Sequence, residues 1–144
     1  MDLPVDPCVL VELARAECLT LLDLESLGRL AVCVAPAAPD VVPVNYVMRG
    51  DAAIIRTHAG VALDQMVSGP VTLQVDRVDW FQSTGWSVMV QGRVELVGTD
   101  SRDIDDPDVW APDPHQTLVR GTPSQISGRR LELHQQSLDA AGCL

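Results

Sequence analysis

The stretch from Gly85 to Gly98, read as one long strand, constrains this chain more than any other. Trp86, Val88, Val90, Val94 and Leu96 fall on even positions, whereas Ser87, Gln91, Arg93 and Glu95 fall on odd ones. That is the period of a strand with one buried face. Gly92 takes an even, inward position where a larger side chain would be expected, and a glycine inside a strand marks a sharp bend at a barrel corner. The pattern points to a small closed or split barrel.

Shorter elements supply the remaining walls. Cys18, Leu21 and Leu22 form an apolar stripe that predicts one helix over Arg15 to Leu24. Gly28 to Ala35 is rich in branched residues, Pro36 to Asp40 is turn material, and Val41 to Met48 should return antiparallel. Arg49-Gly50-Asp51 is a tight connection into Ala52 to Thr57. Val61, Leu63, Met66 and Val67 predict a short helix closed by Gly69-Pro70. Val71, Leu73 and Val75 then alternate with Thr72, Gln74 and Asp76, a half-buried strand. After the long strand, an aspartate- and proline-rich segment from Asp100 to Asp113 precedes two extended pieces, Thr117 to Arg120 and Gln125 to Leu133. The expected core includes Val32, Leu73, Val88 and Val90. With 144 residues, the chain suits a single domain over 1–144, with 1–13 as an N-terminal extension and 135–144 as a C-terminal tail.

Composition removes several kinds of chemistry. The chain has no lysine, and all ten basic residues are arginines, so no lysine Schiff base can form. A net charge of −10 repels a nucleic-acid backbone, which leaves nucleic acid out as a partner. No apolar run approaches the roughly 18 residues that cross a membrane. Met1 to Pro7 carries two aspartates and no basic leader, which makes the cytoplasm the expected location. Cys8, Cys18, Cys33 and Cys143 show no metal-ligand spacing and read as idle thiols. The aspartates near position 105 lack the calcium-loop spacing and read as a solvated acidic loop, so no metal is expected. Ser87 is no hydrolase nucleophile, because the elbow motif needs glycine where Met89 stands.

The run Gly85-Trp86-Ser87-Val88-Met89-Val90-Gln91-Gly92-Arg93 resembles a strand of the flavin-binding split-barrel proteins related to pyridoxamine 5′-phosphate oxidase, particularly their short bacterial members. The resemblance extends through Glu17-Cys18-Leu19, Gly28-Arg29-Leu30-Ala31-Val32, Pro43-Val44-Asn45-Tyr46-Val47, Arg56-Thr57 with Gly60, and Ile126-Ser127-Gly128-Arg129-Arg130. It implies a mainly β fold, a six-stranded antiparallel split barrel with short helices, assembled as a homodimer whose cleft holds a small-molecule ligand, flavin mononucleotide (FMN).

Residue by residue, the resemblance places Arg56, Thr57 and Gly60 at the flavin phosphate. An arginine, a hydroxyl and the N–H groups of the following helix suit such an anion. Where relatives continue Gly-Thr-Lys, this chain has Gly60-Val61-Ala62. A hydroxyl and a cation are thereby lost, and FMN binding is expected to be weakened. The resemblance sets Asn45 beside the flavin ring, although its amide equally suits capping of a neighbouring loop. Ser87 is assigned to the phosphate and Trp86 to the same cofactor wall. Trp86 also shares the inward parity of Val88 and Val90, which suits packing. The implied function is that of an FMN-binding flavoprotein oxidoreductase in which the cofactor supplies the redox chemistry. The alternative is a degenerate split barrel that binds no flavin, or binds a deazaflavin or haem instead.

Overall fold

The computed structural model describes residues 8–33, 38–58, 61–97 and 116–133. Seven strands run in order as β1 (Cys8–Glu12), β2 (Leu27–Val32), β3 (Asp40–Arg49), β4 (Ala52–His58), β5 (Val71–Asp79), β6 (Thr84–Leu96) and β7 (Gln116–Leu133). Two helices are interleaved, α1 (Arg15–Leu22) and α2 (Val61–Ser68). All pairings are antiparallel, and the strands neighbour one another as β1-β7-β4-β3-β2-β5-β6. A further pairing of β6 with β7 closes β2 to β7 into a six-stranded barrel. The split-barrel fold expected from the sequence is therefore present.

Two expectations change. The 1–13 segment, read as an extension, contributes β1, which adds to the free edge of β7 with Leu10 opposite Leu131. The two extended pieces after residue 116 are one strand, with a bulge at Ser124 between the pairs Gln91–Gln125 and Gly92–Pro123. Proline is tolerated at such a bulge because no ladder hydrogen bond is required of it. The acidic segment Asp100 to Asp113 and the tail 135–144 lie outside the described residues.

The barrel interior follows from the alternation. Leu30, Val32, Ile55, Leu73, Val75, Val88 and Val119 are each at most 2% exposed, and fully burying such an aliphatic side chain is worth about 1.5–3 kcal/mol. Helix α1 packs on β6 and β7 and brings Cys18 and Leu22 into the same cluster. Its C-terminal end is tied to β3 by Tyr46, whose Oη donates to the Leu22 carbonyl at 2.6 Å. Two glycines permit this closeness. A Cβ at Gly92 would run into the Thr122 carbonyl, and one at Gly128 would meet Cys18 Sγ at 2.7 Å.

Candidate functional site

The β3–β4 turn sets the first half of the site. Gly50 turns the chain with a φ of 61° in the left-handed region, where glycine carries no Cβ penalty. Arg49 then faces Ala52, and the ladder brings Asn45 directly opposite Arg56. Tyr46 and Ile55, each one residue away, point into the barrel, so Asn45 and Arg56 share the outer face. Both are half-buried. The Asn45 amide donates to the Ser26 carbonyl at 3.4 Å, so it does hold the loop between α1 and β2. Its Oδ1 accepts no hydrogen bond from the described residues.

The same alternation separates Arg56 from Thr57, which is 7% exposed and belongs to the inner face with Ala53 and Ile55. The guanidinium and the hydroxyl therefore do not converge on one side of β4. Gly60 lies outside the described residues.

Ser87 lies elsewhere on the barrel. Its Oγ accepts from Gln74 Nε2 at 3.0 Å, leaving the hydroxyl proton available to an acceptor. The same Gln74 nitrogen lies 3.3 Å from Asp76 Oδ2, and Asp76 is paired with Arg29 at 3.4 Å. That pair is well exposed and adds little stability, but it orients the amide. Ser87 also faces Arg129 across β6 and β7, in the wall of an open groove of about 630 Å³ shared with Met89, Gln125 and Ser127. Trp86, one residue earlier, is half-buried and packs against the core cluster. Gln74 was not singled out from the sequence, although the regular β5–β6 hairpin, with Asp76 opposite Ser87, carried the signal.

Arg56 and Ser87 do not meet within one chain. Strand β7 separates their strands, pairing with Arg56 at Leu118 and with Ser87 at Arg129. Eleven residues of strand at about 3.3 Å each put these two positions on the order of 36 Å apart along β7. Both side chains alternate with core residues and so face outward from the barrel.

The described residues hold no other reactive arrangement. No group of three His, Cys, Asp or Glu side chains among them could hold a metal. Cys18 is buried, and burial, helped by neighbouring Glu17, pushes its thiol above the ordinary range. A thiol held in its neutral form is a poor nucleophile. No described helix is long and apolar enough to cross a membrane.

A closed six-stranded antiparallel barrel with two short helices makes this a split-barrel protein. The chain belongs to the pyridoxamine 5′-phosphate oxidase family, whose sequence pattern matches residues 14–130. The chain is similar to the FAD binding protein from Mycobacterium smegmatis, with 28% identity and a TM-score of 0.66 over 85% of this chain and 98% of that one. A candidate pyridoxamine 5′-phosphate oxidase from Corynebacterium glutamicum is 28% identical with a TM-score of 0.72, over 88% and 100% of the two chains. A conserved protein of unknown function from Corynebacterium diphtheriae is 29% identical with a TM-score of 0.67, over 86% and 98%. No curated protein matches the chain.

Proposed function

We propose that this chain is a flavin-binding oxidoreductase whose cofactor lies against the outer face of β3 and β4. The cross-strand pair of Asn45 and Arg56 carries the reading. It sets a cation and an amide acceptor side by side on a half-buried wall, and these groups fit a phosphate and the polar edge of a flavin. The similarity to the Mycobacterium smegmatis FAD binding protein supports the same ligand class. A bound flavin supplies the electron transfer, while this chain's side chains anchor and orient it.

The cofactor cleft is shared between two copies, with Ser87 and the groove around it contributed by the second. Separation of Arg56 from Ser87 within one chain supports this arrangement. Exposed apolar side chains support it too, including Leu10 at 58%, Trp80 at 82% and Phe81 at 100% exposure. A cytoplasmic location is part of the same proposal.

Titration of flavin-free protein with FMN or FAD, followed by quenching of flavin fluorescence, tests the site. Arg56→Ala should weaken flavin binding by roughly tenfold to a hundredfold, the worth of a charged hydrogen bond. Undiminished binding in that variant would move the site elsewhere. If neither flavin binds the native protein, the non-flavin alternative gains, which rests on Val61-Ala62 standing where relatives carry a hydroxyl and a lysine.

A further inference from the structure

The outer face of the barrel carries a gap in an otherwise apolar row. On β5, β6 and β7 the residues that alternate with Val75, Val88 and Ile126 face outward. There the ladders line up Leu10, Leu131, Gly85 and Val78 across β1, β7, β6 and β5 in turn. Leu10 and Val78 are exposed and Leu131 is half-buried. Gly85 has no side chain and admits none, because a Cβ there would lie 2.6 Å from the Arg77 carbonyl oxygen. The close approach of β5 to β6 thus leaves a hollow of about 290 Å³, with Gly85 as its floor and aliphatic side chains on either side.

The next row along the strands is polar, with Glu12, Arg129, Ser87 and Asp76 in register. Asp76, Arg77 and Arg129 are the charged side chains bordering the hollow, and two of them are already matched. Asp76 holds Arg29 at 3.4 Å and accepts from Gln74 Nε2 at 3.3 Å, while Arg77 lies 3.6 Å from Glu25. Arg129 is exposed and enters no ion pair among the described residues. Ser87 beside it accepts from Gln74 Nε2 at 3.0 Å, which leaves its hydroxyl proton to be donated elsewhere. A guanidinium and a hydroxyl donor therefore stand side by side at the edge of an apolar hollow.

We infer that this hollow binds a small apolar carboxylic acid. The carboxylate accepts from Arg129 and Ser87, a charge-assisted arrangement that suits the guanidinium fork. The apolar body lies over Gly85 between Leu10, Leu131 and Val78. Two residues of strand separate the rows by about 7 Å, the reach of a short branched chain or a single ring. A simple acid and an α-amino acid with an apolar side chain share this chemistry. Glu12, across the ladder from Arg129 and in no ion pair with it, adds a partner for the ammonium group of the second. The site is built within one chain and stands without the flavin reading. Through Ser87 it borders the groove which that reading assigns to the cofactor cleft, the place of a substrate.

Calorimetry on the full, flavin-free chain with 3-phenylpropionate, L-phenylalanine and the neutral 3-phenylpropionamide tests the inference. The acid should bind at least about tenfold more tightly than the amide, the worth of a charged hydrogen bond. Arg129→Gln should weaken the acid by about tenfold and leave the amide within about twofold. Ser87→Ala should weaken the acid by roughly threefold to tenfold, and Leu10→Ala should weaken acid and amide alike by about threefold. Arg129 and Leu10 are exposed, so unchanged melting should accompany both losses. Arg15→Ala, which breaks an ion pair with Asp51, is the control and should alter no affinity. Tighter binding of L-phenylalanine than of 3-phenylpropionate, with the advantage lost in Glu12→Gln, identifies an amino acid, and the reverse order identifies a simple acid; either result supports the site. Equal affinity for acid and amide, acid binding indifferent to Arg129, or binding of none of the three overturns it. Flavin titration of the same protein keeps the two readings apart. Acid binding without flavin binding removes only the flavin reading, and flavin binding without acid binding removes only this one.

Discussion

Tyr46→Phe deletes a single oxygen atom, and the structure shows what depends on it. The ring is 1% exposed and its Oη donates to the Leu22 carbonyl at 2.6 Å. Without the hydroxyl, that carbonyl keeps only the Glu25 amide, at 3.4 Å. A buried hydrogen bond of this kind is worth about 0.5–1.5 kcal/mol net, rising to about 3 kcal/mol when its partner is left unsatisfied. The residual Glu25 contact favours the middle, about 1–2 kcal/mol. For a domain of this size that lowers Tm by roughly 3–7 °C. Alkaline pH adds a second readout. Burial, followed by the nearby Glu25 and Asp23 carboxylates, raises the phenol pKa above its ordinary value of 10.0. Above that value the unfolded chain releases the proton and the folded one keeps it, so stability falls as pH rises through and beyond 10. Tyr46→Phe should remove that part of the alkaline loss. Tyr46 is the sole tyrosine, so phenolate absorbance follows it without interference. Calorimetric melting between pH 7 and 11 measures both effects. A Tm change under about 1 °C at pH 7, or phenolate forming in the folded protein near pH 10, would refute the reasoning.

Gly92→Ala drives a methyl group into the Thr122 carbonyl and the Pro123 backbone. It should destabilise the barrel by about 3 kcal/mol or more, read by urea denaturation. Of the two cysteines whose side chains are described, Cys33 is exposed and Cys18 buried. Peptide mapping after brief treatment with a thiol reagent should find Cys33 modified and Cys18 intact until the protein is unfolded.

Elements with strong alternation could be read from the sequence almost to the residue. The long strand was expected to end near Gly98 and does so at Leu96, because valine at every second position admits only one register with a buried face. Strand β1 was not legible, since five residues at an edge show little periodicity and owe their conformation to β7. Strand β7 was legible only in pieces. Its glycines and proline are breakers locally, and the long-range pairing that overrides them leaves no local trace. Within the candidate site, the partnership of Asn45 with Arg56 was readable in principle, because the short Gly50-Asp51 turn fixes the ladder that follows. The approach of Arg129 to Ser87 was not, because the β6–β7 register is set by barrel closure.

Strand β7 pairs with β1, β4 and β6, and this gives synthesis on the ribosome a definite order of events. The hairpins β3–β4 and β5–β6 can form as soon as their residues emerge. The barrel cannot shut until residues 116–133 arrive, so earlier chains carry unpaired edges at β1, β4 and β6. Long-range closure is slow, and open strand edges invite pairing with other chains. A ribosome stalled before residue 116 would hold a sheet open on those edges, the state in which this protein is most exposed to aggregation and most in need of a chaperone.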